Sequence, residues 1–109
     1  MRAIPLLLDA LKDEDAGVRL ASAEALGELG WRPKTDDEKA FQLVALQKFE
    51  MLSELGKSPV PALESLLRDK EIGLRLAAVE ILGQIEYEDA VGVLSQALND
   101  KNPNVRAVA

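Results

Sequence analysis

The sequence predicts an all-α solenoid, a stack of antiparallel helix pairs, from three observations. Apolar residues fall at helical spacing in paired segments. One pattern of charged and small residues returns at set intervals. The 109 residues include no cysteine and no histidine, so neither disulfides nor zinc can staple the chain and packing alone must hold it. Asp13, Gly17, Arg19, Glu24, Leu26 and Gly27 return fifty-six residues later as Asp69, Gly73, Arg75, Glu80, Leu82 and Gly83. Thirty-one residues after Arg75 the pattern begins again at Arg106, with Val91, Leu94, Leu98, Asp100 and Val105 in register. A period of this length marks units that each bare an apolar face for the next to cover.

The elements follow in order. Ile4, Leu7, Leu8 and Leu11 give residues 3–11 one apolar helical face, with Pro5 in a first turn that tolerates it. Asp13-Glu14-Asp15 breaks the pattern. Val18, Ser22, Ala25, Leu26 and Leu29 then restore it in a second helix whose N-terminal acids suit the helix dipole. Gly27 is expected to allow close packing and Gly30 to cap the C-terminus. The second pair repeats this with Pro61, Leu63, Leu66 and Leu67, then Leu74, Ala77, Ala78, Ile81, Leu82 and Ile85. A third first-helix is expected from Tyr87 to Leu98. The Asn99–Asn104 turn then leads to a stub opened by Val105 and Arg106.

One region escapes the period, because fifty-six exceeds one repeat without reaching two. Residues 30–35 read as a loop. Asp36-Asp37-Glu38 then opens an amphipathic run with Phe41, Val44, Ala45, Phe49, Leu52 and Leu55, closed by Gly56. The expectation is one helix over 37–55, about 28 Å long, standing where a second helix of a pair would stand. The organisation is therefore a single domain, 1–109: repeat 1 over about 3–30, an irregular loop and long helix over 31–57, repeat 2 over about 59–86, and a partial repeat 3 over about 88–109.

Asp13-x-x-x-Gly17-Val18-Arg19 followed by Ala25-Leu26-Gly27-Glu28-Leu29-Gly30, echoed at Asp69 and Arg75 and at Asp100 and Arg106, resembles HEAT-like repeats. More narrowly it is similar to the short subtype named for phycobilin lyases, of roughly 30 residues, over all of the chain except 31–57. Trp31-Arg32-Pro33, Asp37-Glu38-Lys39-Ala40 and Leu55-Gly56 are similar to a segment that recurs inside prokaryotic HEAT-like proteins. The resemblance implies a right-handed α-α superhelix with first helices on the convex side and second helices lining the concave side. It also implies that the usual activity is holding another protein. Ankyrin repeats lack support because Thr-Pro-Leu-His is absent, and tetratricopeptide repeats because their aromatic landmarks are absent.

Composition narrows function. With 13 Lys plus Arg against 19 Asp plus Glu, the chain has net charge −6, which repels phosphate backbones and disfavours nucleic acid as a partner. No apolar run approaches the ~18 residues of a membrane span. No small-residue cleavage site precedes Lys12-Asp13-Glu14-Asp15, and the lack of cysteine fits a reducing compartment, so a cytoplasmic location is expected. Without histidine or cysteine, serine triads, thiol nucleophiles and zinc sites cannot be assembled, and Ser22, Ser58 and Ser95 lack a base. Iron-binding HEAT-like hydroxylases, which need histidines, are closed for the same reason. Asp13, Asp15 and Glu24 fit positions one, three and twelve of a calcium loop, but Gly17 and Val18 stand at five and six, so the template fails. No metal and no cofactor is expected.

Two sets of residues remain. Asp13 and Arg19, Asp69 and Arg75, and Asp100 and Arg106 are each six apart, the carboxylate in the turn and the guanidinium in the first turn of the second helix. Read functionally they grip an acidic ligand. Read structurally they form a ladder in which each arginine forks onto a turn carboxylate or onto carbonyls of a neighbouring repeat. On the second helices, Leu20, Glu24 and Glu28 correspond to Leu76, Glu80 and Gln84, an acidic strip bracketed by leucines that suits a basic, partly apolar protein surface or is a plain solvated face. Trp31 and Arg32 are either an interface anchor or a seal over the end of the second helix. The expected function is a non-catalytic scaffold binding another protein along the concave face. The alternative, from the resemblance, is a component of a bilin lyase or other enzyme complex. Self-association through an uncapped C-terminal end is a further expectation.

Overall fold

The computed structural model describes residues 3–56, 58–85 and 88–108, and every regular element in them is helical. Helix α1 spans Ala3–Ala10 and α2 spans Ala16–Glu28. α3 covers Asp36–Ala45 and is followed by a 3-10 helix over Phe49–Leu55. α4 spans Val60–Leu66, α5 Ile72–Gln84, α6 Glu88–Ala97 and α7 Pro103–Val108. The pairs α1–α2, α4–α5 and α6–α7 are the three units of the repeat. They form a body longer than it is broad, 43 × 26 × 19 Å. The expected helix start at Tyr87 lies outside the described residues.

Each second helix begins the same way for the same reason. Asp13 Oδ1 accepts the Asp15 N–H, Asp69 Oδ1 that of Glu71 and Asp100 Oδ1 that of Asn102, all at 2.8 Å. Each aspartate thus closes its own turn. Asp15 caps α2, its side chain accepting from the Val18 N–H at 3.1 Å. α2 ends in a Schellman motif: the Trp31 N–H reaches the Leu26 carbonyl and the Gly30 N–H that of Gly27, with Gly30 at φ 81°. A Cβ at Gly27 would meet nothing within 4 Å, so the close packing expected there is absent.

The helix expected over 37–55 is two elements. α3 stops at Ala45 in a second Schellman motif, with Lys48 N–H on the Leu43 carbonyl and Gln47 N–H on that of Val44. The left-handed position is taken by Gln47 at φ 58°, so the helix ends without the glycine that marks such an end in a sequence. At its other end Thr35 Oγ1 accepts the Glu38 N–H while Glu38 Oε1 accepts that of Lys34, a reciprocal cap. α3 packs on α2 and α4, as α6 packs on α5 and α4. It therefore has the neighbours of a first helix, not those of the second helix it was expected to replace.

The core is three linked clusters. The central one joins α3, the 3-10 helix, α4, α5 and α6 through Leu43, Leu52, Leu63, Leu66, Leu82 and Val93 among others. An N-terminal cluster of Leu11, Ala23, Leu26 and Ala45 is lined by Ile4, Leu7, Leu8 and Trp31, and a C-terminal cluster holds Val79, Ala97 and Val105. Phe41 touches both the central and the N-terminal cluster, making α3 the bridge between them. Full burial of each large aliphatic stabilises by about 1.5–3 kcal/mol. On α2 the buried stripe is Arg19, Ser22, Ala23 and Leu26, while Val18 and Leu29 are exposed. The stripe is turned one residue from the expected one, because Arg19 occupies an inward position that apolar counting assigns to Val18. No helix among the described residues is long and apolar enough to cross a membrane.

Candidate functional site

The three arginines begin the second helices of their pairs, where the turn before them exposes carbonyl oxygens. Arg19 Nη1 donates to the carbonyls of Asp13 and Glu14 at 2.9 and 3.1 Å, and Arg75 Nη1 to those of Asp69 and Lys70 at 2.9 and 3.2 Å. Arg106 Nη1 donates to the Asp100 carbonyl. The carbonyls thus belong to the arginine's own turn. Two of the arginines also reach forward: Arg19 Nη2 to Asp69 Oδ2 at 2.8 Å, and Arg75 Nε and Nη2 to Asp100 Oδ2 and Oδ1 at 2.9 and 3.3 Å. Asp13, Asp69 and Asp100 consequently do not pair with the arginine six residues on. Each of the latter two receives the arginine of the unit before it.

Each of these two aspartates therefore has two duties, closing its own turn through Oδ1 and receiving a guanidinium from the preceding unit. The sequence reading missed the first of these, although the offset of two to a helix start was visible in all three copies. Arg19 and Asp69 are 3% and 2% exposed, and Arg19 Nε has no hydrogen-bond partner. Arg75 and Asp100 are 13% and 9% exposed, with a two-pronged contact. Burial pushes the Asp100 carboxyl up. The Asn102 N–H, the Arg75 hydrogen bond and the charges of Arg75 and Arg106 together outweigh burial and hold it below the usual aspartate range.

The second set lies elsewhere. Leu20, Glu24 and Glu28 on α2 are exposed, as are Glu80 and Gln84 on α5. Leu76 departs from the strip: it is half-buried against the C-terminal cluster of Val79, Ala97 and Val105, because α6 and α7 close over that side of α5. Trp31 is half-buried against the N-terminal cluster while its neighbour Arg32 is exposed. Asp13 and Asp15 spend carboxylate oxygens on the Asp15 and Val18 amides. Among the described residues no three His, Cys, Asp or Glu side chains gather as a metal would require.

Two family models match the chain: one described as HEAT repeats over residues 59–109 and one described as HEAT repeat over residues 3–30. No curated protein and no solved structure matches it. The two matched stretches are the helix pairs themselves. The unmatched interval, 31–58, is the segment of α3 and the 3-10 helix.

Proposed function

The chain belongs to the HEAT-like repeat family, and from that premise we propose a non-catalytic scaffold that binds another protein along the exposed faces of α2 and α5. Repeats of this kind commonly mediate protein–protein interaction, and their families are typically non-catalytic. The observation that carries the assignment to these faces is the exposure of equivalent residues on both helices: Glu24 and Glu80, Glu28 and Gln84, with Leu20 beside them. Two carboxylates on the first helix and one on the second, next to an exposed leucine, suit a partner segment that is basic and partly apolar. Charge would speed and orient the encounter, and the apolar contact would hold it. The cysteine-free composition fits a cytoplasmic setting.

The test is capture of a partner by the wild-type chain, followed by titration of that partner against Glu24→Lys/Glu80→Lys. Both glutamates are exposed, so the unfolding free energy should stay within about 0.5 kcal/mol of wild type. The expected result is a loss of affinity of at least about tenfold in the variant, and a wild-type complex that weakens as salt is added. Unchanged affinity in the reversed variant would remove these faces from the interface.

A further inference from the structure

A second surface carries the opposite charge. Between the turn after α4 and the turn after α6 lies an open groove of about 700 Å³, within the ~300–1,000 Å³ typical of ligand sites. Its rim carries Arg68, Lys70 and Lys101, all exposed. Among the described residues none of the three forms an ion pair. The two carboxylates in the lining are already engaged: Asp69 by Arg19 and Asp100 by Arg75. The groove is therefore a local excess of positive charge on a chain of net charge −6. Among its lining residues the large aliphatics are Leu67, half-buried, and Ile72, 44% exposed at the start of α5.

We propose that this groove docks a short acidic peptide segment of a partner protein, with carboxylates on Arg68, Lys70 and Lys101 and one aliphatic side chain on Leu67 and Ile72. Charge complementarity selects the sign, because three cations without an ion-pair partner among the described residues stand around carboxylates that are already engaged. Net charge selects a short peptide over a long phosphate polymer, since a phosphodiester chain running beyond the groove meets the acidic remainder of the surface. The ladder gives the groove its rigidity. Arg75 is fixed on its own turn carbonyls and on Asp100, so the two turns that flank the groove are held together before anything docks.

The probe is a fluorescein-labelled pentapeptide, Glu-Glu-Leu-Glu-Glu, followed by anisotropy against the full chain at low and at high salt. Binding should be seen at low salt and weaken with salt, whereas any binding of Lys-Lys-Leu-Lys-Lys, the chemistry that suits the faces of α2 and α5, should not be weakened by the groove variants below. Lys70→Glu/Lys101→Glu should weaken it by about tenfold or more. Ile72→Asp, which sets a carboxylate in the lining at a helix N-terminus that tolerates it, should do the same, with melting temperatures close to wild type. Failure of the acidic probe to bind, or binding indifferent to both variants, would overturn the proposal. So would a thymidine decanucleotide that binds more tightly than the peptide, which would make the groove a polyanion site. Sedimentation showing that the chain dimerises and that Lys70→Glu/Lys101→Glu abolishes the dimer would also overturn it, assigning the groove to a second copy.

Discussion

The junction between the first and second helix pairs and the junction between the second and third are built from the same residues yet differ in depth. At the first, Arg19 meets Asp69 through one 2.8 Å contact, both side chains are all but sealed from water, and the guanidinium Nε is left without a partner. At the second, Arg75 meets Asp100 through two nitrogens in a more accessible setting beside the groove. The same arginine–aspartate pair is thus sealed in one place and partly exposed in another. The first junction differs in the inserted segment, whose helix α3 packs between α2 and α4 and ties the N-terminal cluster to the central one. The repeat supplies the contact, and the surroundings set what its loss costs.

The largest expected effect follows from that depth. Asp69→Ala strands the Arg19 charge in the interior, and loss of one member of a buried pair costs about 3–5 kcal/mol. Urea unfolding of this variant should show it, and a loss below about 1 kcal/mol would mean that water already reaches the first junction. Asp100→Ala removes hydrogen bonds to a charged group in a wetter place and should cost about 1.5–3 kcal/mol in the same assay. A cost at Asp100 above that at Asp69 would reverse the comparison.

Acid should weaken the second junction. The Asp100 carboxyl titrates lower in the folded chain than in the unfolded one, whose value is about 3.9. Its contribution to stability is therefore complete above the unfolded value and is lost as pH falls through the lower folded value. The difference in stability between wild type and Asp100→Asn should be steady near neutrality and shrink below about pH 4. A difference that does not change over the acid range would refute the paired state of Asp100. The smallest effect is a gain. Gly27 and Gly83 lie in helices with open space where a Cβ would stand. Gly27→Ala and Gly83→Ala should each stabilise by about 0.5–1 kcal/mol in thermal melts. Destabilisation at either would indicate a packing role that these positions do not have here.

How much of this was legible in the sequence depends on whether a feature is periodic. The helix pairs were legible, because Leu26 and Leu82, or Asp69 and Asp100, recur in register and apolar spacing names the buried side. The break inside 37–55 was not, because Gln47 takes a left-handed conformation that only a glycine or asparagine would have announced. The buried stripe of α2 was read one residue off, since a count of apolar residues passes over an arginine that is buried by its partners. Leu76 looked equivalent to Leu20 along the chain, but what covers a side chain depends on the next unit, and α6 and α7 close over one and not the other. The groove was partly written in Arg68-Asp69-Lys70 and Asp100-Lys101, where cations flank the repeated aspartates. Its charge could be judged only once both aspartates were seen to be engaged.

The central claim is that each repeat is fastened to the next by an arginine reaching forward to an aspartate, more tightly where the pair is fully buried. A pair of double-mutant cycles in urea, Arg19→Ala with Asp69→Ala and Arg75→Ala with Asp100→Ala, measures both couplings on one scale. The expected result is a favourable coupling above about 0.5 kcal/mol at both junctions, with the Arg19–Asp69 value the larger. Additive effects at Arg19 and Asp69, or a larger coupling at Arg75 and Asp100, would contradict it.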